Sequence, residues 1–296
     1  MKLREFLLLS LIIVISFTSC SDNDINDIVE ETEYVLSELR FLKVDRENGV
    51  GEVPFGWGES SWKYGESGLL EGFSSRISPY VPYFSDIEIS DTYVKASGRY
   101  ESPSSRLIEL AGQNVFFIDN KISEVDILLS TIETNPENIY TYHNKYIFHY
   151  DGDGYLVQIT RTSAFSREEI KIERENGNIS KVITNDATYQ YTYDNQDYIP
   201  MSDFCPYTPV FMYCPYPFVE FYKKMGNPNK NNISKVEILY SRTISQSNMR
   251  SVTYTPEFDI DGKLKWILHS GTYYPHFSEG NEERSFSGAK TYFIYK

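Results

Sequence analysis

A short unit that predicts a β-hairpin recurs along this 296-residue chain. Each copy has an aromatic or β-branched stretch, a turn containing Asp, Asn or Gly, and a second stretch that begins with Ile or Leu. The copies span residues 115–125, 148–159, 172–182 and 258–267. Asn-Gly and Asp-Gly between alternating apolar residues are a strong hairpin signal, because Gly and Asn tolerate positive φ. The repeat therefore predicts consecutive antiparallel strands.

Alternating side chains extend this prediction beyond the turns. Aromatic residues recur at even positions within 140–150, and tyrosines occupy every second position of 189–193. This spacing puts the rings on one face of a strand, where cross-strand aromatic pairs stabilise a sheet. Helical periodicity is confined to Ile28–Leu39 and Gly68–Ile77, which predict short helices. We therefore predict an all-β fold: a meandering antiparallel sheet of repeated hairpins that could curl or close into a barrel, with few short helices.

Composition excludes several classes of function. A mean hydropathy of −0.42 with 41% hydrophobic residues does not fit a polytopic membrane protein or a disordered chain. The formal net charge is −14, whereas nucleic-acid binding needs Lys and Arg to neutralise phosphates. We expect no nucleic-acid partner.

The N-terminus predicts an export signal rather than part of the fold. Two basic residues precede the apolar stretch Phe6–Phe17, which is shorter than the ~20 residues that span a bilayer. Phe17-Thr18-Ser19-Cys20 resembles the lipobox of bacterial lipoproteins, in the looser form found among Bacteroidetes lipoproteins, and this resemblance implies acylation of Cys20. The alternative is a secretory peptide that is cleaved elsewhere. We interpret residues 1–19 as the signal peptide.

Residues 20–33 are interpreted as a lipidated acidic tether, and residues 34–296 as one all-β domain. Within this tether, residues 21–27 resemble the acidic signal that sends Bacteroidetes lipoproteins to the cell surface. We expect an outer-membrane, lipid-anchored protein exposed at the cell surface, with the lipid as its only membrane attachment.

The hairpin motifs also resemble a family of Bacteroidetes surface lipoproteins. That family has a domain of unknown function, described as a porin-like, meandering antiparallel sheet with hairpins similar to Tyr-Asp repeats. The resemblance covers about residues 110–296, and residues 34–110 are expected to be less regular. It implies a fold and a location but no catalytic residue, and "porin-like" describes shape alone. The motifs are Tyr150–Gly154 with Leu156 and Ile159, Asn176–Ile179 with Val182, and Tyr191–Asp194.

One unusual stretch, residues 198–222, interrupts the repeat. Nine of its 25 residues are aromatic and five are Pro, and it holds Cys205 and Cys214, the only cysteines besides Cys20. Outside the cytoplasm such a pair predicts a disulfide. The stretch could offer Tyr207, Tyr213 and Tyr216 to a partner or a sugar ring. Alternatively, it caps one end of the sheet and buries its own rings.

A second aromatic cluster joins Trp57, Trp62 and Tyr64 in a Gly-rich stretch predicted to be a loop. Flat rings beside Glu59 and Glu66 are typical of a sugar-binding surface. The alternative is that the tryptophans pin a Gly-rich loop to the core.

Motifs of catalysis and of metal binding are absent from the sequence. Asp151–Gly154 and Asp259–Gly262 lack the remaining ligands of a calcium loop, and the four histidines lack metal-binding spacing. We expect no metal and no cofactor. The sequence favours a non-catalytic binding or structural role, with a glycan or a protein as partner. The alternatives are a glycoside hydrolase with two unassigned carboxylates, or a scaffold subunit of a surface complex.

Overall fold

Sixteen β-strands make up most of the regular structure in the part of the chain that the computed structural model describes. The described residues are 36–44, 58–64, 70–77, 83–101, 108–132, 139–203, 207–213, 219–241, 248–274 and 282–295. The first eight strands are β1 (Leu36–Val44), β2 (Gly58–Tyr64), β3 (Leu70–Ile77), β4 (Tyr83–Ile89), β5 (Tyr93–Glu101), β6 (Ile108–Ile118), β7 (Lys121–Ile132) and β8 (Ile139–Tyr150). The others are β9 (Leu156–Ser163), β10 (Arg167–Glu175), β11 (Asn178–Ile183), β12 (Ala187–Asp197), β13 (Asn231–Tyr240), β14 (Asn248–Phe258), β15 (Leu264–Tyr274) and β16 (Arg284–Tyr295).

The strands follow one another around the sheet in sequence order. Each pairs antiparallel with its sequence neighbours, and β1 also pairs with β16, so the strand order is that of a closed barrel. The predicted all-β meander of hairpins is confirmed. Two short helices, α1 (Pro209–Tyr213) and a 3₁₀ helix (Val219–Lys224), lie between β12 and β13. Leu36–Lys296 form one compact unit, and the predicted signal peptide, Cys20 and the tether lie outside the described residues.

Tight turns close the predicted hairpins. Asp119 and Asn120 join β6 to β7 with φ of 50° and 58°, and Asn176 and Gly177 join β10 to β11 with φ of 55° and 84°. Positive φ at both central residues of a two-residue loop matches the twist of the flanking strands. The turn residues that marked the repeat in the sequence therefore form the hairpins.

The core lies on one face of the strands, which we call the inner face. In β8, Phe148 is buried and Tyr146 and Tyr150 pack against the core, while His143 and His149 on the other face are exposed. Burying an aliphatic side chain contributes roughly 1.5–3 kcal/mol. Aliphatic side chains with at most 1% exposure come from strands β5 to β16 and include Val94, Val115, Ile122, Ile159, Ile170, Val182, Val236, Ile267 and Ala289.

The opposite face of the described strands carries charged pairs, with a few exposed apolar residues such as Leu128 and Leu239 among them. Lys181 and Glu173 form an ion pair across β11 and β10 at 3.3 Å, and Lys235 and Glu237 form another on β13 at 2.6 Å. Membrane-spanning barrels have the reverse pattern, with an apolar band outside and polar groups inside. The outward face of these strands therefore suits water.

The sequence-based helix predictions for the N-terminal half are wrong where the structure describes them. Leu70–Ile77 is strand β3, which pairs with β2 and β4, and the end of Ile28–Leu39 enters β1, which pairs with β2 and β16. Hydrogen bonds to strands on both sides outweigh a weak local helical preference. In the described ranges, no helix is long and apolar enough to cross a membrane.

Candidate functional site

We call the connection between β12 and β13, residues 198–230, the cap segment. Its described C-terminal part, residues 219–230, lies against the hairpin turns at one end of the sheet. The Asn227 backbone N–H donates to Gly154 O at 3.0 Å, and Asn227 Nδ2 donates to Asp153 O at 2.7 Å. Lys224 Nζ donates to Asn120 Oδ1 at 2.5 Å. The cap segment therefore contacts the β6–β7 and β8–β9 turns, which share one end because alternate connections of an antiparallel meander lie on the same side.

A third turn, between β10 and β11, holds the C-terminal part of the cap segment. Asn178 Oδ1 accepts from the backbone N–H groups of Lys230 and Asn231, at 2.8 and 3.0 Å. The buried Asn229 returns the contact, since its Oδ1 accepts from the Ile179 N–H at 3.1 Å. These bonds satisfy backbone donors that the sheet ladder leaves free.

A cavity of about 390 Å³ lies between the cap segment and the ends of β9, β10 and β11. This volume is within the range of small-molecule sites. Leu156 and Ile179 form an apolar wall of the cavity on the sheet side, and Tyr198 and Tyr222 line the cavity from the cap segment. Its charged lining groups are Arg174, Asp203 and Lys223.

Asp203 is a buried carboxylate in this cavity, with 4% exposure. The Tyr198 hydroxyl donates to Asp203 Oδ1 at 2.9 Å, and the Thr208 hydroxyl donates to Asp203 O at 2.5 Å. Burial raises the pKa of Asp203 to about 6, although the Tyr198 hydrogen bond opposes the shift. Burial also raises the pKa of the Tyr198 hydroxyl, which stays a donor.

Arg174 brings a partly desolvated cation to the same cavity. Its Nη1 donates to Gly177 O and Asn229 Oδ1, each at 3.4 Å, and its guanidinium lies 4.6 Å from the centre of the Tyr155 ring. Arg174 Nε is buried without a hydrogen-bond partner. Burial lowers the pKa of Arg174, although the guanidinium remains charged in the physiological range.

Two of the three tyrosines predicted in the interrupting stretch, Tyr207 and Tyr213, lie on the sheet side of the cap segment. Tyr207 stacks on Tyr189 with centroids 6.2 Å apart, and Tyr213 lies 6.5 Å from Tyr146. Both are half-buried against the core, and burial raises the pKa of both hydroxyls. This is the arrangement in which the stretch caps the sheet and buries its own rings; ligand binding by them stays a prediction. Cys205, Cys214 and Tyr216 lie outside the described residues.

Two residues of the second aromatic cluster, Trp62 and Tyr64, are part of the sheet rather than of a loop. Trp62 and Tyr64 belong to β2, in which Trp62 is the register partner of Phe73 on β3, so the loop prediction is wrong for these residues. The reason is that β2 pairs with β1 and β3 along most of its length. Tyr64 is half-buried against the core, and Trp57 lies outside the described residues.

Sequence reasoning missed the residues that line the cavity. One signal could have identified Arg174. It is the next alternate residue of β10 after Ile170 and Ile172, which are buried on the inner face, and a charged residue is rare at such a position. Asp203 carried no comparable signal, because it lies in an irregular stretch and its burial depends on distant strands.

The two Asp-Gly turns use their aspartates internally. Asp151 Oδ1 accepts from the N–H groups of Asp153 and Tyr155, at 3.1 and 2.8 Å, and Asp259 makes the equivalent bonds in its own turn. Asx turns of this kind account for the aspartates at these positions without a bound cation. Among the described residues, no group of three or more His, Cys, Asp or Glu could hold a metal ion.

Comparison with solved structures relates this fold to porin-like proteins of Bacteroides. A porin-like protein from Bacteroides uniformis is 12% identical, with a TM-score of 0.52, over 88% of this chain and 98% of that chain. A porin-like protein from Bacteroides vulgatus is 10% identical, with a TM-score of 0.47, over the same shares of the two chains. No protein-family model and no curated protein matches the sequence. The similarity to the Bacteroides uniformis protein shows a shared fold.

Proposed function

We propose that this protein is a non-catalytic, lipid-anchored protein of the outer-membrane surface whose β-domain binds a glycan. The observation that carries the proposal is the cavity beneath the cap segment. It combines two tyrosine rings, Tyr198 and Tyr222, with a buried carboxylate and a guanidinium. Aromatic rings suit the C–H faces of a sugar, a carboxylate accepts from its hydroxyls, and a guanidinium donates to its oxygens.

The cavity favours binding over hydrolysis. Glycoside hydrolases use two carboxyl groups about 5–10 Å apart, one on each side of the scissile bond. Asp203 is the only carboxylate among the residues that line the cavity in the described part of the chain.

A scaffold role through a sheet edge has less support. Strand addition requires an edge with free N–H and C=O groups. The terminal strands β1 and β16 pair with each other, so neither offers such an edge. Docking of a protein on the cap segment is the remaining form of this alternative.

The proposed location rests on the lipobox-like sequence ending at Cys20 and on the water-compatible outward face of the described strands. With such a face, the domain would stand in water and the acyl chains would supply the membrane attachment. Cys20→Ala should release the protein from the membrane fraction. A Cys20→Ala protein that still fractionates with membranes after a carbonate wash would refute the anchor.

A disulfide between Cys205 and Cys214 is part of the proposal, since it would shorten the free length of the cap segment. We expect mass spectrometry of the exported protein to find both thiols blocked before reduction and free afterwards. Alkylation of both thiols without reduction would remove the disulfide from the proposal.

A glycan array tests the binding function directly. The soluble form that begins after Cys20 should bind at least one glycan, and Tyr222→Ala should weaken that binding. Trp57→Ala and Trp62→Ala, made in parallel, test the sequence-predicted aromatic cluster. Absence of binding to every glycan would refute the proposed function. Binding that is lost in the tryptophan variants but not in Tyr222→Ala would move the site to the N-terminal strands.

A further inference from the structure

Arg174 has hydrogen-bonding capacity that the protein does not use. Its two bonds to Gly177 O and Asn229 Oδ1 are long, at 3.4 Å, and its buried Nε has no partner. Among the described residues, no carboxylate lies within 4.0 Å of the guanidinium. A buried donor without a partner is unfavourable, so a ligand that supplies an acceptor gains affinity from this side chain.

One segment that lines the Arg174 cavity is rich in lysine within an acidic protein, although Asp151 and Asp203 act on Arg174 as opposite charges. The chain carries a net charge of −14, but residues 221–230 contain three lysines and no acidic residue. One of them, Lys223, lines the cavity and is exposed to solvent. The carboxylate of Asp203 is engaged by the Tyr198 hydroxyl rather than by an ion pair. Arg174 and Lys223 therefore favour an anion at their side of the cavity, whereas the Asp203 carboxylate disfavours one at its own side.

We infer, building on the proposed glycan-binding function, that the cavity recognises a sugar that carries a carboxylate. The carboxylate would accept from Arg174, with Lys223 at the entrance, and ring hydroxyls would donate to Asp203. Planar guanidinium groups match carboxylates in a two-point geometry that neutral sugars do not offer. Tyr198 and Tyr222 give the site its sugar character, because a simple aliphatic acid gains nothing from a ring face of this size.

The composition of the array distinguishes this inference from the proposed function. It should include uronate-containing and sialylated glycans, their methyl esters and neutral glycans of the same linkage. We expect the bound glycans to be carboxylated, and each methyl ester to bind at least about tenfold more weakly than its acid. Binding confined to neutral glycans would overturn the inference and leave the proposed function standing. Binding to no glycan would overturn both.

Variants of the cavity residues test the recognition itself, with calorimetric titration of the best carboxylated oligosaccharide. Arg174→Met should weaken binding by about tenfold or more, whereas Arg174→Lys should retain part of the affinity. Lys223→Met, at an exposed position that does not threaten folding, should weaken binding by about two- to fivefold and reduce its salt dependence.

The matched control is Arg250→Met, because Arg250 also has a buried Nε without a partner but does not line the cavity. Its affinity should equal that of the unaltered protein. Unchanged binding in both Arg174→Met and Lys223→Met would overturn the inference. Glutarate, a carboxylated molecule without a sugar ring, should compete at least about a hundredfold less well. Equal competition by glutarate would overturn the assignment to a sugar.

Discussion

The packing of the cap segment on the hairpin turns can be tested at one glycine. Gly226 has φ of +91°, and a Cβ there would lie 2.7 Å from Gly154 O and 2.8 Å from Tyr150 Cε1. We predict that Gly226→Ala strongly destabilises the domain. The next residue, Asn227, donates its N–H to that same Gly154 oxygen, so the added methyl would also strain this bond.

Three terms set the magnitude of this effect. A left-handed backbone costs an L-residue roughly 1–2 kcal/mol. Overpacking against groups that cannot move freely costs about 1–3 kcal/mol, and the Asn227 hydrogen bond contributes about 0.5–1.5 kcal/mol if it breaks. Because Gly154 O is backbone and Tyr150 is held in the sheet, we expect a total of about 2.5–6.5 kcal/mol when the Asn227 bond breaks as well. For a domain of this size that loss corresponds to a fall in Tm of about 5–25 °C.

Two other glycines separate the causes in thermal and urea unfolding followed by circular dichroism. Gly262 has φ of +78° with nothing within 4 Å of the added Cβ, so Gly262→Ala should show the backbone term alone, about 1–2 kcal/mol. Gly152 has an open Cβ position and no positive φ, so Gly152→Ala should cost nothing measurable. If Gly226→Ala is no worse than Gly262→Ala, the cap segment does not lie against Gly154 as described.

Three further predictions concern buried polar groups. Asn229→Ala should destabilise by about 1–3 kcal/mol in urea unfolding, because the Ile179 N–H loses its acceptor; a change below about 0.5 kcal/mol would contradict this. Folding raises the pKa of Asp203 from 3.8 to about 6, so the folded protein binds a proton at this carboxyl more tightly than the unfolded chain does. The contribution of Asp203 to the free energy of unfolding therefore falls as the pH rises from about 4 to 6. Asp203→Asn should flatten that part of the pH–stability profile and raise stability at pH 7; lower stability at pH 7 would count against it. His269 is fully buried beside Thr291 with its pKa lowered from 6.5 to about 3, so its contribution is complete above pH 6.5 and is lost as pH falls towards 3. His269→Gln should reduce the acid sensitivity between pH 6 and 4, and an unchanged acid slope would refute this role.

The hairpin repeat was predictable because its signals are local. Asn176-Gly177 and the alternating residues around it act over fewer than ten positions, and the resulting turn has the positive φ that these residues tolerate. The first five strands were harder to predict, since β3 (Leu70–Ile77) lacks a tight-turn signal and forms through pairing with β2 and β4.

The candidate site was not predictable in the same way. Arg174, on β10, and Asp203, in the cap segment, are 29 positions apart, and the cavity between them exists because the β12–β13 connection folds back over the turns of earlier hairpins. The aromatic content drew attention to the right segment. It did not show that Tyr207 and Tyr213 pack against the sheet while Tyr198 and Tyr222 line a cavity.

By itself, the sequence determined the fold class, the positions of the central hairpins and the face of β8 and β12 that carries the aromatic rings, because turn chemistry and side-chain alternation depend on neighbouring residues. Only the tertiary structure decided that β1 pairs with β16, that the cap segment contacts three turns and that a guanidinium with an unused donor lines a cavity. These features depend on contacts between residues far apart in the chain. Such contacts form when the register of many strands is set together, which no short stretch of sequence specifies.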